Sequence, residues 1–103
     1  MTLEDLTHEL WQASENKQLC RLLLQGEPLT RTVCPYGIAT TAKNHIVLVC
    51  WQTIGFTKPG GKEGYRNLLL SEIKEIETLE QRFYKRDDFN PDDGQYKDWV
   101  YHL

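Results

Sequence analysis

Apolar residues are densest between His45 and Gln52, where Ile46 to Trp51 run without a polar interruption. Ile46, Val47 and Val49 are β-branched. The run is too short for a buried helix and too apolar for a surface strand. It predicts a central strand with both faces covered. Upstream, Leu3, Leu6, Leu10 and Trp11 fall at helical spacing behind Thr2, whose hydroxyl can cap a first turn, with Asp5 three residues on. This pattern predicts a helix over residues 1–16, closed by Ser14 to Asn16.

Gln18 to Gln25, rich in leucine, predicts the first strand, and Leu29 to Cys34 the second, with Gly26-Glu27-Pro28 as the turn between them. Pro35-Tyr36-Gly37 breaks the pattern and predicts a bend or an edge, because proline brings no donor to a ladder. Ile38 to Thr41 resumes the extended chain, and Ala42-Lys43-Asn44 turns it into the central strand. Thr53 to Gly64 is polar and predicts a long loop. Tyr65 to Leu70 predicts a further strand and Ser71 a short turn. Ile73, Ile76 and Leu79 suit a helical period better than an alternating one, so periodicity alone leaves 71–82 open between helix and strand. Asn90-Pro91 is a helix opening, and Tyr96, Trp99 and Val100 would be the buried face of a short last helix.

At 103 residues this is one domain. Its parts are an N-terminal helix (1–16), a sheet or barrel (18–80), and a connection with a C-terminal helix (81–103). The apolar share of 40% fits an ordered core. The net charge of −3 argues against general nucleic-acid binding, which needs a basic surface. Cys20, Cys34 and Cys50 form no CxxC pair. With no basic, apolar leader and no membrane-length apolar run, they read as reduced thiols of a cytoplasmic protein. No internal repeat or low-complexity tract is visible.

Three stretches together resemble the WYL domain, a small bacterial sheet module of the Sm/SH3-like type. Arg31-Thr32-Val33-Cys34-Pro35-Tyr36-Gly37-Ile38 is similar to that family's arginine, apolar, proline, apolar, glycine stretch. Ile46 to Trp51 stands where the name-giving Trp-Tyr-Leu strand would be, with only Leu48 of the signature kept. Tyr65 to Ile73 resembles the closing segment, where Leu69 and Glu72 replace further arginines. Phe83, and then Phe89 with a helix after it, also match the family's end. The resemblance implies a strand over Lys74 to Leu79. It also implies a mostly β (α+β) fold: a small bent antiparallel sheet or partly open SH3/Sm-like barrel of about five strands, with a helix at each end. In the family a basic, aromatic groove binds an anionic ligand, nucleotide or nucleic acid. Arg31 and Arg66 retain part of that groove, and Tyr36 and Tyr65 would stack nearby. The family's usual N-terminal helix-turn-helix is absent here.

Other chemistry is weaker. Lys58-Pro59-Gly60-Gly61-Lys62, with Lys43, would make a cationic lip, but no strand-to-helix GxxxxGK[ST] frames it, and a solvated loop is the plainer reading. Cys34, Cys50 and His45 complete neither a metal site nor a catalytic pair, which favours inert buried thiols. Trp51, Trp99, Tyr65 and Tyr101 suit base stacking or, more simply, packing. Asp87-Asp88 and Asp92-Asp93 lack EF-hand spacing and read as solvated surface.

No constellation for catalysis, metal or cofactor emerges, so a non-enzymatic module is expected. The first expectation is a stand-alone, WYL-like regulatory module sensing an anionic small molecule or nucleotide. The alternative is a protein-interaction or self-association module, a homodimer for instance, whose groove is degenerate. The first requires Arg31 and Arg66 on one face with no carboxylate between them. The second expects Glu72 or Glu63 to fill that space.

Overall fold

The computed structural model describes residues 2–54 and 63–103. The candidate lip from Lys58 to Lys62 lies outside them. One helix, α1 (Leu3–Glu15), precedes six strands: β1 (Gln18–Leu24), β2 (Arg31–Thr41), β3 (Ile46–Ile54), β4 (Gly64–Leu69), β5 (Ile73–Arg82) and β6 (Tyr96–His102). A 3-10 turn, Leu70–Glu72, joins β4 to β5. All pairings are antiparallel, in the order β4-β3-β2-β1-β5, with β6 also on β2. The fold is mostly β, as expected, with six strands rather than about five.

α1 begins as its sequence dictates. The Thr2 hydroxyl accepts the Asp5 amide at 3.1 Å, and the Asp5 carboxylate accepts the Thr2 amide in return. Its buried face is Leu6, Leu10, Ala13 and Ser14. Leu3 and Trp11, expected on that face, are 54% and 46% exposed.

β2 is the axis of the sheet. Along one edge it pairs with β3 over most of its length. Its first residues also pair with β1 (Leu22↔Arg31, Cys20↔Val33), and its last with β6 (Gly37↔His102 to Thr41↔Tyr96). Pro35 sits where β1 has ended and β6 has not begun, so its missing donor is tolerated inside a central strand. The register slips between Pro35 and Gly37, leaving Tyr36 as the extra residue of a bulge.

β3, expected as the centre of the sheet, lies between β4 and β2, the strand at the centre, and it is covered on both faces from Val47 to Cys50, although Ile46 is 46% exposed. Leu48 and Cys50 enter the core beneath α1, with Leu10, Leu22, Val33 and Leu68 among their neighbours. Val47 and Val49 join a second cluster with Ala39, packed against Phe89, Tyr96 and Trp99. The strand over Lys74 to Leu79 is also present, inside β5.

The expected C-terminal helix is instead β6. Two bulges explain the error. Between its pairings with β2, β6 skips Lys97 and Val100, so each bulge consumes one residue. Tyr96 and Trp99 therefore share a face although three residues apart, which imitates a helical period. Val100, expected to be buried, is 62% exposed, and Tyr101 turns to the opposite side to meet Ser14 Oγ at 3.0 Å.

Gly37 permits this arrangement. A Cβ placed there would lie 2.5 Å from the Tyr101 carbonyl oxygen and 2.9 Å from the His102 Cα. Gly37→Ala is expected to push β6 off β2 and to lower stability by about 1–3 kcal/mol, as overpacking does. Urea unfolding measures the loss, and amide exchange of 96–102 should accelerate. Unchanged stability would contradict the close docking of β6.

Candidate functional site

The four expected site residues divide into two pairs on opposite faces of the sheet. Arg66 is opposite Cys50 on β3, and Gln52 is two residues beyond Cys50, so Arg66 and Gln52 share the α1 face. Arg31 is on the same face, because its Nη1 donates to Gln52 Oε1 at 3.0 Å. Tyr65 is opposite Trp51 and points the other way. Tyr36, edge-on to Tyr65 with centroids 5.8 Å apart, belongs with it. Four residues of one expected groove are thus two clusters.

In the first cluster the Arg31 fork is already filled. Nε and Nη2 donate to the two carboxylate oxygens of Glu27 at 2.9 and 2.6 Å. The pair is largely covered, with side chains 16% and 19% exposed. All three guanidinium nitrogens thus have a partner within the chain. The Glu27 carboxylate also holds the arginine above its ordinary pKa. Gln52, 1% exposed, is a buried amide at the end of an apolar strand, and its carbonyl needs such a donor. Arg66 Nη1 donates to the Tyr65 carbonyl at 2.9 Å.

The carboxylate beside Arg31 is Glu27, not Glu63 or Glu72. Glu63 instead accepts the Trp51 indole N–H at 3.2 Å. Glu27 sits in the turn before β2, and its four-residue spacing from Arg31 was the available signal. A turn does not advertise that geometry as a helix would.

The second cluster is aromatic and carries its own cation. Tyr36, 1% exposed, stacks on Phe83 with planes 18° apart and meets Phe89 edge-on. Its hydroxyl accepts the Arg86 amide at 2.8 Å, and burial raises its pKa. The Arg86 guanidinium lies over Trp51 at 3.7 Å and forks onto Asp88 at 3.0 and 3.1 Å. Tyr65 donates to the same carboxylate at 2.6 Å. Arg86 and then Tyr65 hold Asp88 below the usual carboxylate range. Tyr36 therefore presents no open ring face, and Tyr65, half-buried, is engaged by Tyr36, Trp51 and Phe89. The cleft beside Tyr65, Phe89 and Tyr96 is about 120 Å³, below the size of sites for drug-sized ligands.

The cysteines are buried and free. Desolvation raises Cys34 to about 11 and Cys20 to about 12, and Cys50 is raised further by the same cause. Among the described residues no group of His, Cys, Asp or Glu could hold a metal ion. No helix there is long and apolar enough to cross a membrane. The chain matches no protein-family model, no curated protein and no solved structure.

The thiols set a direction for pH dependence. Their folded pKa values lie above the ordinary 9.0, so their contribution to stability is fully present below pH 9 and is lost as pH rises through about 11 and 12. Urea unfolding at stepped pH should therefore be flat from about pH 7 to 8.5 and weaken above about pH 9. At about pH 8 a disulfide reagent should label the native chain far more slowly than the unfolded chain. Rapid native labelling would contradict the burial.

Proposed function

We propose that this chain is a non-enzymatic interaction module on a WYL-like, partly open Sm/SH3-type barrel, acting in the cytoplasm through a protein partner or a second copy. The barrel reading is supported by the strand path β4-β3-β2-β1-β5, whose two ends are joined by one 3-10 turn. The observation that carries the functional reading is the filled fork of Arg31. An anion groove needs its guanidinium open, and here Glu27 and Gln52 occupy it. The groove is degenerate through a carboxylate of its own. The separation of Tyr36 and Tyr65 from both arginines points the same way, because no stacked and ion-paired ligand can bridge the two faces of a sheet.

A second reading, recognition of an anionic small molecule or nucleotide, rests on the shared face of Arg31 and Arg66. A phosphate would have to displace Glu27 from Arg31. Direct nucleic-acid binding is disfavoured by the net charge of −3.

Thermal unfolding with nucleotides, cyclic nucleotides, short oligonucleotides and dicarboxylates separates the two. The wild-type panel should be flat. A ligand at a hundred times its Kd would add about 2.7 kcal/mol, a shift of roughly ten degrees or more at this size. Such a shift, abolished by Arg31→Ala or Arg66→Ala, would overturn the interaction reading. Arg31→Met should cost about 1–3 kcal/mol of stability without any ligand, because Glu27 and Gln52 then lose their partner.

A further inference from the structure

α1 carries a second stripe beside its buried one. Leu3, Thr7 and Trp11 recur every four residues and therefore line one flank. Leu3 is 54% exposed and Trp11 46%. Trp11 rests against Tyr101 and, edge-on, against His8, both at 6.4 Å between centroids, so the indole is propped on the surface. A shallow depression of about 700 Å³ runs along Leu3, Glu4, Thr7, His8 and Trp11.

The charged side chains of α1 itself have one sign. Glu4, Asp5, Glu9 and Glu15 are the helix's acidic residues, and it holds no lysine or arginine. Asp5 is used in the N-terminal cap, and Glu9 accepts from Thr78 Oγ1 at 3.4 Å. Glu4 and Glu15 are exposed and fall beside Trp11 at helical spacings of seven and four. Glu15 in the last turn opposes the helix dipole, so the local helix gains nothing from it. A bare tryptophan with acids beside it is complementary to an apolar surface with bases beside it.

We propose that this flank of α1 docks an amphipathic, lysine- or arginine-bearing helical segment of a partner protein. The assignment rests on the interaction reading above and names its partner's chemistry. The partner's apolar side chains would cover Trp11 and Leu3, and its bases would meet Glu4 and Glu15. Two copies of this chain facing each other through α1 would set acid against acid, which disfavours self-association here. An anionic membrane surface is disfavoured for the same reason.

The test uses the full chain and a labelled synthetic peptide with leucine and lysine at amphipathic helical spacing. The same peptide with glutamate for lysine is the control. Fluorescence anisotropy should show binding of the lysine peptide only, weakening as salt rises. Trp11→Ala should weaken it at least about tenfold, as loss of an aromatic anchor does. The double variant Glu4→Gln, Glu15→Gln, which leaves the apolar stripe intact, should also weaken it and flatten the salt dependence. Asp92→Asn with Asp93→Asn, on a distant acidic turn, should leave it unchanged. Overturning results are no binding, equal binding of the glutamate peptide, or binding that responds to the Asp92 and Asp93 changes and not to Trp11. A flat peptide titration removes this surface alone. Only an anion response of the wild type removes the reading on which it rests.

Discussion

The fold depends on how β2 shares its backbone among three partners. One edge belongs to β3, while the other passes from β1 to β6 across Pro35, Tyr36 and Gly37. Each of the three residues answers a separate demand. Proline occupies the gap where a donor is dispensable, and glycine admits the Tyr101 carbonyl within 2.5 Å of where a Cβ would be. The bulged tyrosine sends a ring beneath Phe83 and Phe89, while its carbonyl accepts the Leu103 amide at 2.9 Å. The chain from Phe83 to Leu103 is thereby held against the sheet, and the second face of β3 is closed.

That closure decides what surface is left for function. The aromatic residues expected to stack on a ligand pack instead against the C-terminal segment, which supplies the Arg86 cation over Trp51. On the other face, Arg31 brings its own anion. Both polar sites are neutralised from within. The bare apolar surface on α1 is different, because nothing among the described residues covers Leu3 or Trp11 fully.

Much of this was legible in the chain. The capping box at Thr2 and the covered faces of β3 follow from residue type and spacing, whereas the strand over Lys74 to Leu79 came from the WYL resemblance against a helical spacing, and Pro35-Tyr36-Gly37, expected as a bend or an edge, is a bulge inside one continuous strand. The missed features have physical reasons. β6 looked helical because two bulges stretched an alternating pattern to a spacing of three. Leu3 and Trp11 fit the helical stripe, but the sheet reaches only the side occupied by Leu6, Leu10, Ala13 and Ser14. The division of the site was partly readable. Tyr65 and Arg66 are neighbours on a strand and must point to opposite faces. Glu27 was hidden because a side chain in a turn reaches its partner by a path that no period describes.

The claim that Arg31 serves the chain itself can be measured most directly by a double-mutant cycle between Glu27 and Arg31, using Glu27→Gln, Arg31→Met and the pair in urea unfolding. A coupling of about 0.5–3 kcal/mol is expected for groups in one network. Losses that simply add, within about 0.3–0.5 kcal/mol, would show that the two residues act independently. The guanidinium would then be open to an anion from outside.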